Sequence, residues 1–129
     1  MRPVHFEIHA DDPERAIAFY KSVFDWKIER WGAGEPAYWL IRTGEAGTPG
    51  IDGGLMKRRS PPPADMQPLN SYLNTIDVPD LDGASQKVKA AGGRQVVDRM
   101  PIKGVGWLAY FKDTEGNLFG LMQADPNAK

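Results

Sequence analysis

The clearest pattern in the chain is an alternation of apolar and polar residues near its start. Residues 4–9 read Val-His-Phe-Glu-Ile-His, and a period of two residues is typical of a β-strand with one buried face. The apolar residues of this run, Phe6 among them, would face the core. His5, Glu7 and His9 would share the opposite face. The pattern therefore predicts a strand whose polar face carries both histidines of the chain.

A helix is predicted directly after this strand. Asp12 can accept hydrogen bonds from the free N–H groups of a first helical turn, and Pro13 suits that turn. Apolar residues then recur at spacings of three and four as far as Phe24, which is typical of an amphipathic helix. Three strands are predicted to follow, at residues 26–31, 37–43 and 51–58. In the last of them, Gly53 and Gly54 indicate a bulge or a close approach of another group to the backbone.

The second half of the chain repeats this order of elements. The proline-rich residues 59–68 predict an extended linker. After it we expect a strand at 69–77, a helix from Asp80 to Gly92 and three strands, at 94–100, 106–112 and 118–123. The shift in numbering that carries Asp12 onto Asp80 relates the two halves, and we call it the repeat shift. The chain is therefore predicted to be α+β, with one β-α-β-β-β module at 1–58 and a second at 69–124.

Neither module is large enough to bury both faces of its own sheet. The two sheets must therefore pack together or curl into a shared cup, either within one chain or across two chains. The linker is long enough for both arrangements. We expect a homodimer.

Composition narrows the class of protein further. The chain has 129 residues, 26% of them charged, with a net charge of -1 and no cysteine. Disulfides and thiolate metal sites are excluded, and there is no basic excess to indicate a nucleic-acid partner. No apolar stretch approaches the length of a membrane span, and no signal-peptide pattern opens the sequence. We expect a cytoplasmic protein without a membrane partner.

Two stretches of the sequence resemble a known family. Residues 5–20, HFEIHADDPERAIAFY, and residues 113–121, DTEGNLFGL, are similar to the opening strand and helix and to the closing hairpin of the glyoxalase, bleomycin-resistance and extradiol-dioxygenase group. This group is the vicinal oxygen chelate (VOC) superfamily. Thr114 stands where the family usually has proline. The resemblance implies two βαβββ modules whose mixed and antiparallel sheets curl into a cup.

The resemblance also implies where a divalent metal would bind. Enzymes of the family hold the metal through His and Glu at four strand positions, and the repeat shift carries these positions onto His5, Leu55, Leu73 and Gln123. Leucine cannot bind a metal, and a catalytic site needs about three protein ligands. We therefore expect no catalytic metal and no other cofactor. If a metal is bound, the candidate ligands are His5, Glu7 and Gln123.

The residues proposed to contact a ligand lie at several points in the chain. They are His5, Glu7, Gln123, Trp39 and Trp107. The repeat shift carries Trp39 onto Trp107, and either one could line the cup or pack in the core. The polar face of the first strand has three possible roles: a solvated surface, a metal-free ligand site, or a metal site completed by Glu7 or His9.

These observations favour a VOC protein that binds a small organic molecule in the cup, without a catalytic metal. One alternative is a metal-dependent lyase or dioxygenase with an altered ligand set. Another is a non-catalytic scaffold or subunit. The sequence assigns neither a reaction nor a catalytic residue. An active enzyme would be a lyase or oxidoreductase of the glyoxalase and dioxygenase type.

Overall fold

The computed structural model describes residues 5–65, 67 and 73–129. The chain divides into two compact units, residues 1–62 and 63–129. Each unit contains the order β-α-β-β-β, with one helix and one four-stranded mixed sheet. The α+β class and the repeated order of elements are therefore confirmed. In the part of the chain that is described, neither helix is long and apolar enough to cross a membrane.

The first unit begins with the predicted strand and helix. Its elements are β1 (His5–Ala10), α1 (Pro13–Phe24), β2 (Lys27–Arg30), β3 (Tyr38–Arg42) and β4 (Asp52–Lys57). The strand order is β1-β4-β3-β2, with β1 parallel to β4 and the other pairs antiparallel. Asp12 caps the helix as predicted, because its carboxylate accepts from the backbone N–H of Arg15 at 3.1 Å.

The second unit has the same connectivity. Its elements are β5 (Thr75–Asp77), α2 (Leu81–Ala90), β6 (Arg94–Ile102), β7 (Gly106–Lys112) and β8 (Leu118–Ala124). The strand order is β5-β8-β7-β6, and β5 runs parallel to β8. The strand predicted at 69–77 is seen only from Thr75 onward, and its first residues lie outside the described part. The carboxylate of Asp80 caps α2 by accepting from the N–H groups of Asp82 and Gly83.

The core of the first unit lies between α1 and one face of its sheet. We call this face the helix-covered face. Its buried strand residues are Ile8, Ala10, Ile28, Ile41 and Leu55, and the buried helix residues are Ala16, Ile17, Phe19, Tyr20 and Val23. The apolar residues of β1 therefore face the core as the alternation predicted. Trp26 extends this core, because its ring stacks on Tyr20 with a centroid separation of 5.2 Å.

The structural repeat does not follow a single sequence offset. The repeat shift carries Ile8 onto Ile76, its equivalent in the second unit. Their partners on the neighbouring strands are Leu55 and Leu121, and the difference in numbering between these two leucines is smaller than the repeat shift by two positions. The short sequence Gly-Leu-Met occurs at both partner positions, at residues 54–56 and 120–122. The segment between the first and last strands is thus shorter in the second unit by the same two positions. The repeat shift is therefore wrong for β4 and β8.

This register corrects two equivalences drawn from the sequence. Gln123 corresponds to Lys57 and not to Leu55, so the metal positions transferred to residues 55 and 123 are not equivalent to each other. Tyr38 pairs with Met56, and Leu108 pairs with the equivalent methionine, Met122. Leu108 is therefore the equivalent of Tyr38, and the difference in numbering between β3 and β7 is larger than the repeat shift by two positions. Trp39 and Trp107 are therefore not equivalent, and they lined up only because one offset was applied throughout.

Candidate functional site

The open face of the first sheet is the face opposite α1. Strand alternation places His5, Glu7 and His9 of β1 on this face. The register adds Gly54 and Met56 of β4, which pair with Glu7 and His9. It also adds Tyr38 and Leu40 of β3, which pair with Met56 and Gly54. Polar groups of β1 and β3 are thus held next to each other across the small residue Gly54.

Four side chains on the open face form a continuous hydrogen-bonded chain. Nε2 of His5 lies 3.0 Å from the hydroxyl oxygen of Tyr38. That hydroxyl donates to Oε2 of Glu7 at 3.2 Å, and Oε1 of Glu7 lies 2.7 Å from Nε2 of His9. We call these residues the His-Tyr-Glu-His chain. The sequence placed the first, third and fourth members on one face, but the link through Tyr38 was not predicted.

The proton positions in this chain follow from the chemistry of its members. An ionised carboxylate can only accept hydrogen bonds, so His9 must donate to Glu7 through Nε2–H. Tyr38 has one hydroxyl hydrogen, which it gives to Glu7. That leaves the hydroxyl oxygen of Tyr38 as an acceptor on the side of His5.

The site also changes the acidity of two of these groups. The hydrogen bond from His9 lowers the pKa of Glu7 below its ordinary value of 4.5, while partial burial opposes that change and the bond from Tyr38 adds to it. Burial, followed by the negative charge of Glu7, raises the pKa of Tyr38 above 10.0. Near neutral pH the carboxylate is therefore ionised and the phenol is protonated, which matches the hydrogen-bond directions.

Gly54 makes room for the phenol of Tyr38. A Cβ atom at position 54 would overlap the tyrosine hydroxyl, so a residue without a side chain is required directly beneath it. The neighbouring Gly53 has the same role on the other face, where a Cβ would lie 2.6 Å from the ring of Phe6. The close approach predicted from these two glycines is confirmed.

An exposed aromatic residue borders the His-Tyr-Glu-His chain. Trp31 is 67% exposed, and its ring meets Tyr38 edge-on with a centroid separation of 6.2 Å. Its backbone N–H donates to the carbonyl of Tyr38 at 2.8 Å, which fixes it beside β3. Leu40, 39% exposed, adds apolar surface to the same face. The open face thus combines hydrogen-bonding groups with exposed apolar surface.

Trp39 lies on the other side of the sheet. It pairs with Leu55, which is fully buried on the helix-covered face, and it alternates with Tyr38 along β3. Its side chain is therefore not part of the open face. The alternation in residues 38–42 already predicts this placement, because Trp39 and Ile41 must lie on the same face of the strand.

The two predicted site residues of the second unit take part in contacts within that unit. The side-chain oxygen of Gln123 accepts from the backbone N–H of Leu81, the first residue of α2, at 2.8 Å. Trp107 donates through its indole N–H to Asp125 at 3.0 Å, and the guanidinium of Arg99 lies 4.2 Å from its ring centroid. The expectation that Gln123 lies beside His5 would join the two units, and it stays a prediction.

The residues of the open face do not fit the divalent metal that the fold family implies. Within residues 5–65, 67 and 73–129, no three His, Cys, Asp or Glu side chains are placed to hold a metal. The Nε2 atom of His5 is directed at Tyr38, and each oxygen of Glu7 already accepts a hydrogen bond. Leu55 is buried and Leu73 offers no donor atom. We therefore derive no chemical step through a metal.

Comparison with known proteins identifies the family. The family model described as the Glyoxalase/Bleomycin resistance protein/Dioxygenase superfamily matches residues 2–121. The chain belongs to this superfamily, and the resemblance stated from its sequence motifs is confirmed.

Its curated relatives include a proposed glyoxylase, CFP32, from Mycobacterium bovis and Mycobacterium tuberculosis. Each is 30% identical over 122 residues, which cover 93% of this chain and 43% of the relative. The chain thus spans less than half the length of these relatives.

Solved structures agree on the fold. A glyoxylase/bleomycin resistance protein/dioxygenase domain from Frankia sp. EAN1pec has 19% identity and a TM-score of 0.73, covering 97% of this chain and 99% of that one. The fosfomycin resistance protein FosX from Listeria monocytogenes has 18% identity and a TM-score of 0.73, covering 96% and 92%. That FosX structure is a variant complexed with Mn(II) and 1S,2S-dihydroxypropylphosphonic acid. At these identities the likeness shows the fold alone.

Proposed function

We propose that this protein binds a small organic molecule on the open face of its first sheet, without a catalytic metal. The observation that carries the proposal is the His-Tyr-Glu-His chain. Fixing four polar side chains on an accessible surface costs conformational entropy. Ion pairs between exposed side chains contribute little to the free energy of unfolding. Glu7 and His9 are 40% and 47% exposed. Such an arrangement suits recognition better than it suits folding.

The chemistry of the open face indicates the kind of ligand. The ionised carboxylate of Glu7 attracts hydroxyl and amine groups and repels phosphate and carboxylate groups. The exposed ring of Trp31 offers a flat apolar contact, which is the usual partner of an aromatic or aliphatic ligand body. A flat molecule bearing a hydroxyl or amine group fits both features.

A thermal-shift screen tests this proposal. We expect flat amines and hydroxylated aromatic compounds to raise the melting temperature of the wild-type protein. Trp31→Ala and His5→Ala should reduce these shifts, and the loss of the hydrogen bond that the ligand makes with His5 should weaken binding by about 1–3 kcal/mol. Trp39→Phe is the matched control, since Trp39 lies on the helix-covered face of the same sheet. Shifts that survive Trp31→Ala but disappear in Trp39→Phe would place the ligand elsewhere.

We further propose that the protein is a homodimer. Among the described residues, each four-stranded sheet has two edge strands, and unpaired edges are normally covered in native proteins. Large apolar side chains also remain exposed on the chain, including Val97 and Val105. Light scattering at micromolar concentration should give twice the mass of the chain, and a monomer mass would contradict the proposal.

A further inference from the structure

We infer that Tyr38 is a positioning residue that holds His5 with its proton on Nε2 and presents the Nδ1 lone pair as the acceptor for a ligand. The use of this acceptor by a ligand rests on the proposed function. The proton position itself does not, since it is a property of the free protein.

The inference begins with the single hydrogen of the Tyr38 hydroxyl. Two groups compete for it: Oε2 of Glu7 at 3.2 Å and Nε2 of His5 at 3.0 Å. If Tyr38 donated to His5, its oxygen lone pairs would face the Glu7 oxygen, and two acceptors would stand within hydrogen-bond distance without a proton between them. Donation to the carboxylate removes that repulsion and makes a charge-assisted bond. Donation from Tyr38 to Glu7 is therefore favoured, and the hydrogen bond between His5 and Tyr38 uses a proton on Nε2 of His5.

The position of the phenol is fixed by the fold. Tyr38 is the first residue of β3, its ring meets Trp31 edge-on, and its hydroxyl occupies the space above Gly54. Phenylalanine would keep the ring and lose the oxygen on which both hydrogen bonds depend. The tyrosine hydroxyl thus links the two β1 side chains, His5 and Glu7.

The consequence is a site made of acceptors. A neutral His5 with its proton on Nε2 has its lone pair on Nδ1. Glu7 adds a negative charge. A ligand therefore has to bring a hydrogen-bond donor, such as a hydroxyl, an ammonium or a heterocyclic N–H group, and one that offers only acceptors is rejected. Tyr38 would in this way determine specificity through His5.

Imidazole nitrogen NMR tests the proton position directly, and the chain is well suited to it because it has two histidines. His9→Gln assigns the signals. Above the pH at which the imidazoles lose their charge, we expect His5 to show a protonated Nε2 and an unprotonated Nδ1. A majority of His5 with its proton on Nδ1 would overturn the inference.

Two variants separate positioning from general structure. In Tyr38→Phe, the Nε2 proton should exchange faster with solvent, and the two nitrogen shifts of His5 should move toward each other as the tautomers mix. Gly54→Ala should give the same change by displacing the hydroxyl. Trp39→Phe, which changes a side chain on the helix-covered face of the same sheet, should leave both shifts unchanged. Identical His5 signals in the wild type and in Tyr38→Phe would also overturn the inference.

Matched probes test the class of ligand. Benzyl alcohol and benzylamine carry donors, whereas benzyl methyl ether has the same ring without one. We expect the first two to shift the His5 signals and the ether to leave them unchanged. Equal shifts with the ether would overturn the donor requirement. If no probe shifts the signals while Nε2 is protonated as inferred, the proposed function loses support and the positioning role of Tyr38 stands.

Discussion

At the scale of single residues, the ionisation of Glu7 is the step on which the open face depends. Its carboxylate accepts from Tyr38 and from His9, so protonating it removes an acceptor from both bonds. The three neighbours that favour the charged form, His9, Tyr38 and His5, lie on two strands, while partial burial works against it. Both hydrogen bonds to the ionised carboxylate are therefore present at a pH well above the pKa of Glu7.

Glu7 should make stability depend on pH in one direction. Because its pKa is lowered in the folded state, its contribution is fully present above the unfolded value of about 4.5. It is lost as the pH falls through the folded value. Glu7→Gln should cost about 0–1 kcal/mol near pH 7, since the pair is exposed, and nearly nothing near pH 3. Chemical denaturation at both pH values measures this. A larger difference at pH 3 than at pH 7 would contradict the assignment.

Gln123 provides a second prediction at this scale. Its side-chain oxygen accepts from the first N–H of α2, so Gln123→Ala should lower the free energy of unfolding by about 0.5–1.5 kcal/mol. Gln95→Ala is the control, because within the described part of the chain the Gln95 amide makes one hydrogen bond, a long 3.4 Å contact with the carbonyl of Val97. If Gln123→Ala leaves stability unchanged and weakens ligand binding at His5, the expectation drawn from the sequence is restored.

At the scale of elements, local patterns in the sequence predicted most of what the structure shows. The period of two in β1, the Asp12 and Asp80 caps and the turn after Lys112 each depend on a few neighbouring residues. Asp113, for example, closes its turn by accepting from the N–H groups of Glu115 and Asn117. Such features can be read without knowing the register between strands.

The register between strands was the part that sequence reasoning missed. It depends on loop lengths and on pairing across the sheet, and a slip of a single position moves a side chain to the opposite face. The repeated Gly-Leu-Met sequence carried the correct offset for β4 and β8. Tyr38 could be found only from that register, because its role depends on lying above Gly54 and beside two residues of β1.

Two glycines should respond differently to the same substitution. In Gly54→Ala the new Cβ meets the far end of the Tyr38 side chain, which can swing away, so stability should fall little while the His5 signals change. In Gly106→Ala it meets the backbone carbonyl of Gln123, so β8 itself must move. That should cost about 1–3 kcal/mol, as overpacking does. Denaturation midpoints measure both, and a greater loss in Gly54→Ala would contradict the packing described.

At the scale of the whole molecule, the question is what chemistry a VOC fold supports when its usual ligand set is altered. Of the four transferred positions, His5 alone carries a good metal ligand. Leu55 lies in the core. The register moves position 123 out of alignment with position 55. The fold thus retains a polar strand face, on which Tyr38 hydrogen-bonds to both His5 and Glu7. The superfamily defines the fold, and these residues must define the function.

We accordingly predict that the purified protein holds no stoichiometric transition metal. Three protein ligands are needed for a tight site, and Nε2 of His5 and Oε2 of Glu7 are each already hydrogen-bonded to Tyr38. Elemental analysis after a brief chelator wash should show far less than one metal ion per chain. Added Mn(II) should leave the His5 NMR signals sharp, whereas a bound paramagnetic ion would broaden them. About one zinc, nickel, manganese or iron per chain, retained through the wash, would contradict the prediction and favour a metal-dependent lyase or dioxygenase.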